Sequence, residues 1–405
     1  MPTYQYLIIG GGMAAGAAIP AIRAVDPHGS LALIAGEPHP PYKRPPLSKG
    51  LWKGDPVENI WLDLAKLGAD MYLGRRAQTL DLHKMRVIDE QGEAYHFNRL
   101  LLAMGSRPRR LPLDGLGQGD NLKDRVIYYR TYADYERLRE LAGRSAHFAV
   151  VGGGFIGTEM AAALRVNGKQ VTLILRDERI GANLYPRDLG EYLNGFYQEK
   201  GVDVRTKTTL VGLQARGEQV ALQIRRADGT DLEELAVDGV IIGIGVEPNV
   251  ELARTAGLEV KDGIVVDEFL RTSHPDIFAA GDAANFYGAA LGKRRRVEHE
   301  DNANHMGRLA GHNMAGAAER YTHLPFFYSD LFELGYEAVG ETDARLETVS
   351  DWKQPYREGI VYYLRDSRVR GVLLWNVWGQ VDAARRLIRE PGPFRPEDLM
   401  GRLSG

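Results

Sequence analysis

No cysteine occurs anywhere in the 405 residues. Every function that needs a thiol sulfur is thereby excluded: disulfide scaffolds, thiolate metal sites, cysteine nucleophiles and dithiol relays. Charge imbalance is missing as well. With 51 Lys+Arg against 54 Asp+Glu the net charge is −3, which offers no general attraction to nucleic acid or anionic lipid, so no nucleic-acid partner is expected. Nor is there a long unbroken apolar run. The longest apolar tract, Phe148 to Leu164, is interrupted by Gly152, Gly153, Gly154, Gly157 and Glu159, and no membrane span is expected. The opening "MPTYQYLIIGGG" has no basic region ahead of its apolar stretch and no small-residue cleavage site at the usual distance. It reads as a first strand rather than a signal peptide, and a cytoplasmic protein is expected.

What is present has the bulk composition of a globular protein, 44% hydrophobic and 26% charged, at a length that predicts two or three domains. One internal echo organises it. "YLIIGGGMAAGAAIPAIRAVDPHGSLALIAGE" recurs as "FAVVGGGFIGTEMAAALRVNGKQVTLILRDE", with Gly10 matched by Gly152. Each copy runs apolar strand, glycine cluster, alanine-rich helix, turn and second apolar strand, the order of a βαβ unit with parallel strands. Gly10 and Gly152 permit the tight turn out of the strand. Gly12 and Gly154 let backbone approach a pyrophosphate, and Ala15 and Gly157 let helix and strand pack closely. The phosphates rest on helix N-terminal N–H groups, where the helix carries partial positive charge.

The second strand of each unit presents a group to a ribose. In the first copy "LALIAGE" ends on Glu37, a carboxylate placed to accept from ribose hydroxyls. In the second, "VTLILRDER" leaves two readings open: Asp177 holds a ribose hydroxyl, or Arg176 or Arg179 pairs with a 2′-phosphate. The balance of these groups favours NADPH over NADH. Two different nucleotides in one chain suggest a relay, with a flavin in the first site and a nicotinamide in the second. Two later segments resemble further flavin contacts. "RLLLAMGSRPRRLP" puts an apolar strand before Gly105 and Arg109, and "TSHPDIFAAGDAANF" does the same before Gly281 and Asp282. A carboxylate at the C-terminal edge of a strand lies where open α/β sheets bind ligands, so Asp282 is a candidate for the ribityl chain.

Together with "PYKRPPLSKGLW", "GGGFIGTEMAAAL", "IGIGVEPNVELA", "RRVEHEDNANHMGRLAG", "FFYSDLFELGYEAVG" and "GVLLWNVWGQVDAAR", these segments resemble the FAD-dependent pyridine-nucleotide oxidoreductases of the glutathione-reductase class. Within it they are similar to the branch of ferredoxin reductases, monodehydroascorbate reductases and apoptosis-inducing factors, over essentially the whole chain. The resemblance implies that Arg44 contacts the FAD phosphates, that Lys49 lies beside the isoalloxazine N5 edge, and that Glu159 reaches the nicotinamide and pairs with Lys49. It implies that Glu298 and His299 bring backbone against the ring system, that Gly245 belongs with the cofactor contacts, and that Trp375 and Trp378 line the substrate side. Disulfide-reducing relatives carry a redox cysteine pair near the proline-rich segment; prolines stand there in this chain. Many ferredoxin reductases carry tryptophan two residues after Glu298, whereas this chain has Glu300.

His299, His305 and His312, with acids between them, also invite a metal reading, but His305 and His312 more simply share a helix face, and no metal is expected. The aromatic, alternating runs after residue 320 predict antiparallel strands and a closing helix. The fold expected is therefore α/β: two Rossmann-like dinucleotide-binding domains plus a small α+β C-terminal domain. Residues 1–117 and 246–320 form the FAD domain, 118–245 the NAD(P)H domain and 321–405 the third. The function implied is an FAD-dependent NAD(P)H oxidoreductase, monomer or homodimer, that passes a hydride to flavin and electrons to a small electron-carrier protein of ferredoxin type. Lys293, Arg294, Arg295 and Arg296 are candidates to steer such a partner. The alternative is a redox sensor like apoptosis-inducing factor, which binds NAD(P)H and turns over slowly.

Overall fold

The structure, a computed structural model, describes residues 1–113 and 120–403. The chain divides into two compact units. The first comprises Met1–Arg44, Val57–Arg107 and Glu247–Phe327; the second comprises Pro45–Pro56, Pro108–Val246 and Tyr328–Gly405. The first unit is thus interrupted by an insertion, and the C-terminal segment groups with that insertion. The boundary expected at 117/118 lies outside the described residues.

In the first unit, strand Thr3–Ile9 pairs in parallel with Leu31–Ala35 and Ala94–Leu102. Ala69–Leu73 extends the sheet on one side and the antiparallel pair Arg86–Asp89 and Ala77–Asp81 on the other. Leu7, Ile8, Leu33 and Leu101 are all inaccessible, which is why these strands read as continuous apolar runs: a parallel sheet is covered on both faces. The late strand Ile277–Ala279 joins the same sheet beside Ala94–Leu102, with Ala279 opposite Leu102. That pairing brings a segment from far along the sequence back to the first glycine turn.

Helix Met13–Val25 follows Gly10, whose φ of +112° only glycine adopts readily and whose absent Cβ would lie 2.2 Å from the Ala103 carbonyl oxygen. The helix packs along a second one, Glu300–Met314. Gly307 and Gly311 make that approach: a Cβ at Gly307 would sit 2.1 Å from the Ala14 carbonyl oxygen, and one at Gly311 2.5 Å from that of Ala18.

The second unit repeats the plan. Its parallel sheet runs Val202–Arg205, Gln170–Ile174, His147–Val151, Gly239–Ile242, Val126–Tyr128, and helix Phe155–Val166 follows Gly152. Here the close helix–strand contact is Gly157, where a Cβ would lie 1.9 Å from the Gly152 carbonyl oxygen. A three-stranded antiparallel sheet, Thr208–Arg216, Gln219–Arg226 and Leu232–Val237, lies between the fourth and fifth parallel strands in sequence. The C-terminal part is a five-stranded sheet in the order Phe326–Leu331, Leu334–Gly340, Arg368–Trp375, Glu358–Arg365, Glu347–Gln354, closed by helix Val381–Arg389. Among the described residues no helix is long and apolar enough to cross a membrane.

Candidate functional site

Both glycine fingerprints form the same cradle. Gly12 and Gly154 are the N-caps of the two glycine-led helices, in nearly identical extended backbone (φ −89°, ψ −170° and φ −91°, ψ −167°), and neither has a side chain to cap the helix amides. A Cβ placed on either would meet nothing within 4 Å. The space beside each of these N-caps is therefore open, and N–H groups at a positive helix end fit the pyrophosphate of a dinucleotide. Ala15 is fully buried, as the close-packing position requires.

Around the first cradle, Glu37 accepts from the Tyr42 hydroxyl at 2.7 Å and forms an ion pair with Arg44. The acid expected at the ribose and the arginine expected at the phosphates are thus neighbours. Gly105 takes φ +62° and its carbonyl receives the Asn249 amide at 3.0 Å. Asp282, in the short turn Gly281–Ala283, is buried and accepts from the Ser106 hydroxyl at 2.6 Å. Its position follows from the pairing of Ala279 with Leu102. His299 caps the Glu300–Met314 helix and stacks on Phe327, ring centroids 4.2 Å apart; Glu298 is paired with Arg296. In the second unit Arg109 and Gly245 meet through the Arg109 amide and the Gly245 carbonyl at 3.0 Å.

At the end of the second cradle's strand, Leu175 is buried, Arg176 is exposed and Asp177 is partly exposed. Arg179 lies folded over Gly190 and pairs with Glu178 at 2.6 Å. Of the two arginines weighed for a 2′-phosphate, Arg176 is the exposed one.

The proline-rich segment has a defined anchor. Trp52 is buried, donates its Nε1–H to the Leu47 carbonyl at 2.9 Å and packs edge-on against Tyr135. The turns Pro45–Ser48 and Gly50–Trp52 therefore hold Ser48 and Lys49 in place. Lys49 Nζ pairs with Glu159 Oε1, their side chains 12% and 3% exposed. Ser48 Oγ donates to Glu159 Oε2 and Ser329 Oγ to Glu159 Oε1, each at 2.5 Å. Lys49 also lies 5.2 Å from the Tyr328 ring centroid. A buried carboxylate thus has four acceptor sites and three donors aimed at them. The two serines escaped the sequence reading, although Ser329 is a polar residue at an inward position of an alternating strand, the kind of mismatch that marks a site.

One expectation is corrected. Trp375 is wholly inaccessible, stacked on Tyr336 with its Nε1–H donated to the Tyr356 carbonyl. It is a core side chain with no surface to line a ligand space, whereas Trp378 is 54% exposed. The basic run forms a hairpin strand, Lys293–Arg295, in which Arg294 donates to the Val266 and Asn285 carbonyls and Arg296 is held by Asp262 and Glu298. The Arg296 charge is thus met by two carboxylates, whereas Arg294 is exposed and bonded only to neutral carbonyls.

The three histidines weighed as metal ligands do not converge. His312 pairs with Glu319 and His299 stacks on Phe327, while His305 meets Asp301 and His323. The ligand-type atoms of Asp301, His305 and His323 lie within 4.8 Å of one another. The two imidazoles are stacked, however, at 3.6 Å and 13°, so their in-plane lone pairs run side by side. Asp301 also accepts the Phe326 amide at 3.2 Å, and the group clamps the segment before residue 327 to the helix. Burial opposes the Asp301 carboxylate, but hydrogen bonds from His305 and His323 outweigh it and hold Asp301 far below the ordinary carboxylate range; the same bond raises His305. A raised histidine contributes stability that is complete below its ordinary value of 6.5 and is lost as pH climbs through the raised value. The thermal-stability advantage of the wild type over His305→Gln is expected to be largest at pH 5–6 and to shrink by pH 9. An advantage that is constant over that range would contradict the clamp.

Two copies of a dinucleotide cradle with a buried lysine–glutamate pair define a dinucleotide-dependent oxidoreductase. The chain belongs to the pyridine nucleotide-disulphide oxidoreductase family, whose model matches residues 4–307; the C-terminal model of mitochondrion-associated apoptosis-inducing factor matches 310–355 and 350–390. It is similar to apoptosis-inducing factor 1 of Dictyostelium discoideum, 32% identical over 95% of this chain and 78% of that one. It is also similar to the 5,5′-dehydrodivanillate O-demethylase ferredoxin reductase subunit of Sphingobium, 34% identical over 91% and 89%. The crystal structure of the covalent putidaredoxin reductase–putidaredoxin complex matches with a TM-score of 0.89 at 29% identity, covering 98% of this chain and 95% of that one. Membership implies FAD and a pyridine nucleotide. Without cysteine, the disulfide chemistry of the family's name has no group to perform it here.

Proposed function

We propose that this protein takes a hydride from NADPH onto FAD and passes electrons singly to a small ferredoxin-like iron–sulfur protein. The observation that carries the redox reading is the Lys49–Glu159 pair in a chain with no thiol. The acceptor rests on the likeness to a ferredoxin reductase subunit and to putidaredoxin reductase. FAD, when bound, accepts the hydride at N5 and releases the two electrons one at a time.

The residues divide by role. Gly10, Gly12, Ala15, Glu37, Arg44, Gly105, Arg109, Gly281, Asp282, Glu298 and His299 hold the flavin nucleotide. Gly152, Gly154, Gly157, Arg176, Asp177 and Gly245 hold the nicotinamide nucleotide, and Trp378 stays on the substrate side. We assign these roles to three domains, FAD-binding, NAD(P)H-binding and C-terminal, the last grouping with the second in one compact unit. Lys49 supplies positive charge beside the ring system, and Glu159 keeps that ammonium in place.

Exposed Arg176, with no hydrogen-bond or ion-pair partner among the described residues, is the group for a 2′-phosphate. Arg176→Ala is expected to weaken NADPH by about tenfold, the worth of one charge-assisted hydrogen-bonded pair, and to leave NADH unchanged. Rapid anaerobic mixing of the flavoprotein with NADPH and then NADH, followed at the flavin absorbance, measures both. Equal loss for the two nucleotides would remove Arg176 from the 2′-phosphate site. Absence of bleaching by either nucleotide would overturn the hydride reading.

The match of the C-terminal model of apoptosis-inducing factor favours a second reading, a slowly turning redox sensor. Adding an iron–sulfur acceptor to the reduced protein separates the two. A reductase reoxidises many times per second; a sensor stalls in the reduced state.

A further inference from the structure

We propose that Ser329 is a positioning residue for hydride transfer, holding the Glu159 carboxylate so that Lys49 is aimed. The inference rests on the reading that the Lys49–Glu159 pair works beside the reacting flavin and nicotinamide.

A serine at zero exposure in a strand of the C-terminal sheet calls for a reason, because an unpaired buried hydroxyl is costly and alanine would fill the place more cheaply. Its Oγ donates to Glu159 Oε1, the same oxygen that receives Lys49, while Oε2 is taken by Ser48. With one hydroxyl on each oxygen, both at 2.5 Å, the carboxylate plane has no freedom to turn, and the direction of its bond to Lys49 is set. Short hydroxyl–carboxylate bonds of this kind are the strong, charge-assisted sort.

The donor direction follows from the partners: a carboxylate oxygen that already receives an ammonium can only accept from the serine hydroxyl. Ser48 adjoins Lys49 in sequence, so replacing it disturbs the lysine backbone. Ser329 comes from a strand far away in sequence and bonds to the pair at Glu159 Oε1.

Ser329 also draws off part of the charge on Oε1. Without it that oxygen bears more fully on Lys49, the ammonium is more completely neutralised, and reduced flavin is less well stabilised. The expected results for Ser329→Ala are a hydride-transfer rate constant lower by about tenfold, the worth of one charge-assisted hydrogen bond, and an unchanged KM for the nucleotide. The midpoint potential of the bound FAD falls. Ser329→Thr, which keeps a hydroxyl, restores rate and potential; Ser329→Cys, which fills the space with a weak donor, behaves like Ser329→Ala. Rate and potential both at wild-type values in Ser329→Ala, with transfer slowed in Glu159→Gln, would overturn the role of Ser329 alone. Wild-type transfer in Glu159→Gln as well would overturn the underlying reading of the pair.

Discussion

Lys49→Met is expected to destabilise the protein by about 3–5 kcal/mol, the cost of removing one partner from a buried ion pair. The Glu159 side chain is 3% exposed, so the carboxylate left behind has no water to turn to. Ser48 and Ser329 still donate to it, which places the expected value near about 3 kcal/mol, at the lower end of that range. The double variant Lys49→Met/Glu159→Leu removes the orphaned charge and is expected to recover most of the loss, since apolar replacement of a buried pair is often neutral. Hydride transfer separates stability from function. It falls by about 100-fold in the single variant, as when one fixed electrostatic group is removed from a reacting site, and stays low in the double. Urea unfolding with excess FAD and rapid-mixing reduction of the flavin measure the two quantities. A double variant as unstable as the single one would mean that packing, not the unpaired carboxylate, sets the cost.

Gly12→Asp and Gly10→Ala are expected to move stability in opposite ways. At Gly12 the backbone is extended and a Cβ meets nothing within 4 Å. Aspartate there becomes the helix N-cap that the native chain lacks, its carboxylate accepting from the first-turn amides at the positive helix end. The apoprotein is expected to be as stable as the wild type or more so by about 0.5 kcal/mol. FAD retention is expected to fall by about 100-fold or more, because the amides are taken and a like charge faces the pyrophosphate. At Gly10 the same atom would lie 2.2 Å from the Ala103 carbonyl oxygen on a φ of +112°. Gly10→Ala is expected to cost more than about 4 kcal/mol, in the exceptional range reserved for core clashes and backbone strain. Flavin fluorescence after gel filtration and thermal unfolding of the apoproteins check the pair. Gly12→Asp holding FAD at wild-type affinity would show that the clear space is not the phosphate cradle.

Much of this was legible in the amino-acid order. The duplicated strand, glycine cluster and alanine-rich helix are local patterns, and each residue in them acts on its sequence neighbours. Lys49 and Glu159 were legible through family resemblance, because each sits at a constant offset within a recurring motif. The partners of Glu159 were not. Ser48 and Ser329 are common residue types, and nothing near Ser329 in sequence says that its strand lies against Glu159. Trp375 was misplaced for the converse reason: an aromatic near the end of an alternating strand reads the same whether it lines a ligand space or fills a core. Arg176 and Arg179 are equivalent in the sequence, and only the packing of Arg179 over Gly190 distinguishes them.

The sequence alone therefore determined the chemistry that is open to this protein: no thiol, two glycine-led strand–helix–strand units, an acid on the second helix and a lysine in a stiff proline-rich segment. Those facts depend on composition and on spacings of a few residues, where backbone geometry leaves little choice. The tertiary structure decided which side chains meet. Asp282 reaches Ser106 because a late strand pairs with an early one, and Asp301 joins His323 because a loop folds back on its helix. Ser329 faces Glu159 because the C-terminal sheet packs within the second unit. Contacts between residues far apart in sequence are set by the burial of whole surfaces, and that free energy belongs to no single stretch of the chain.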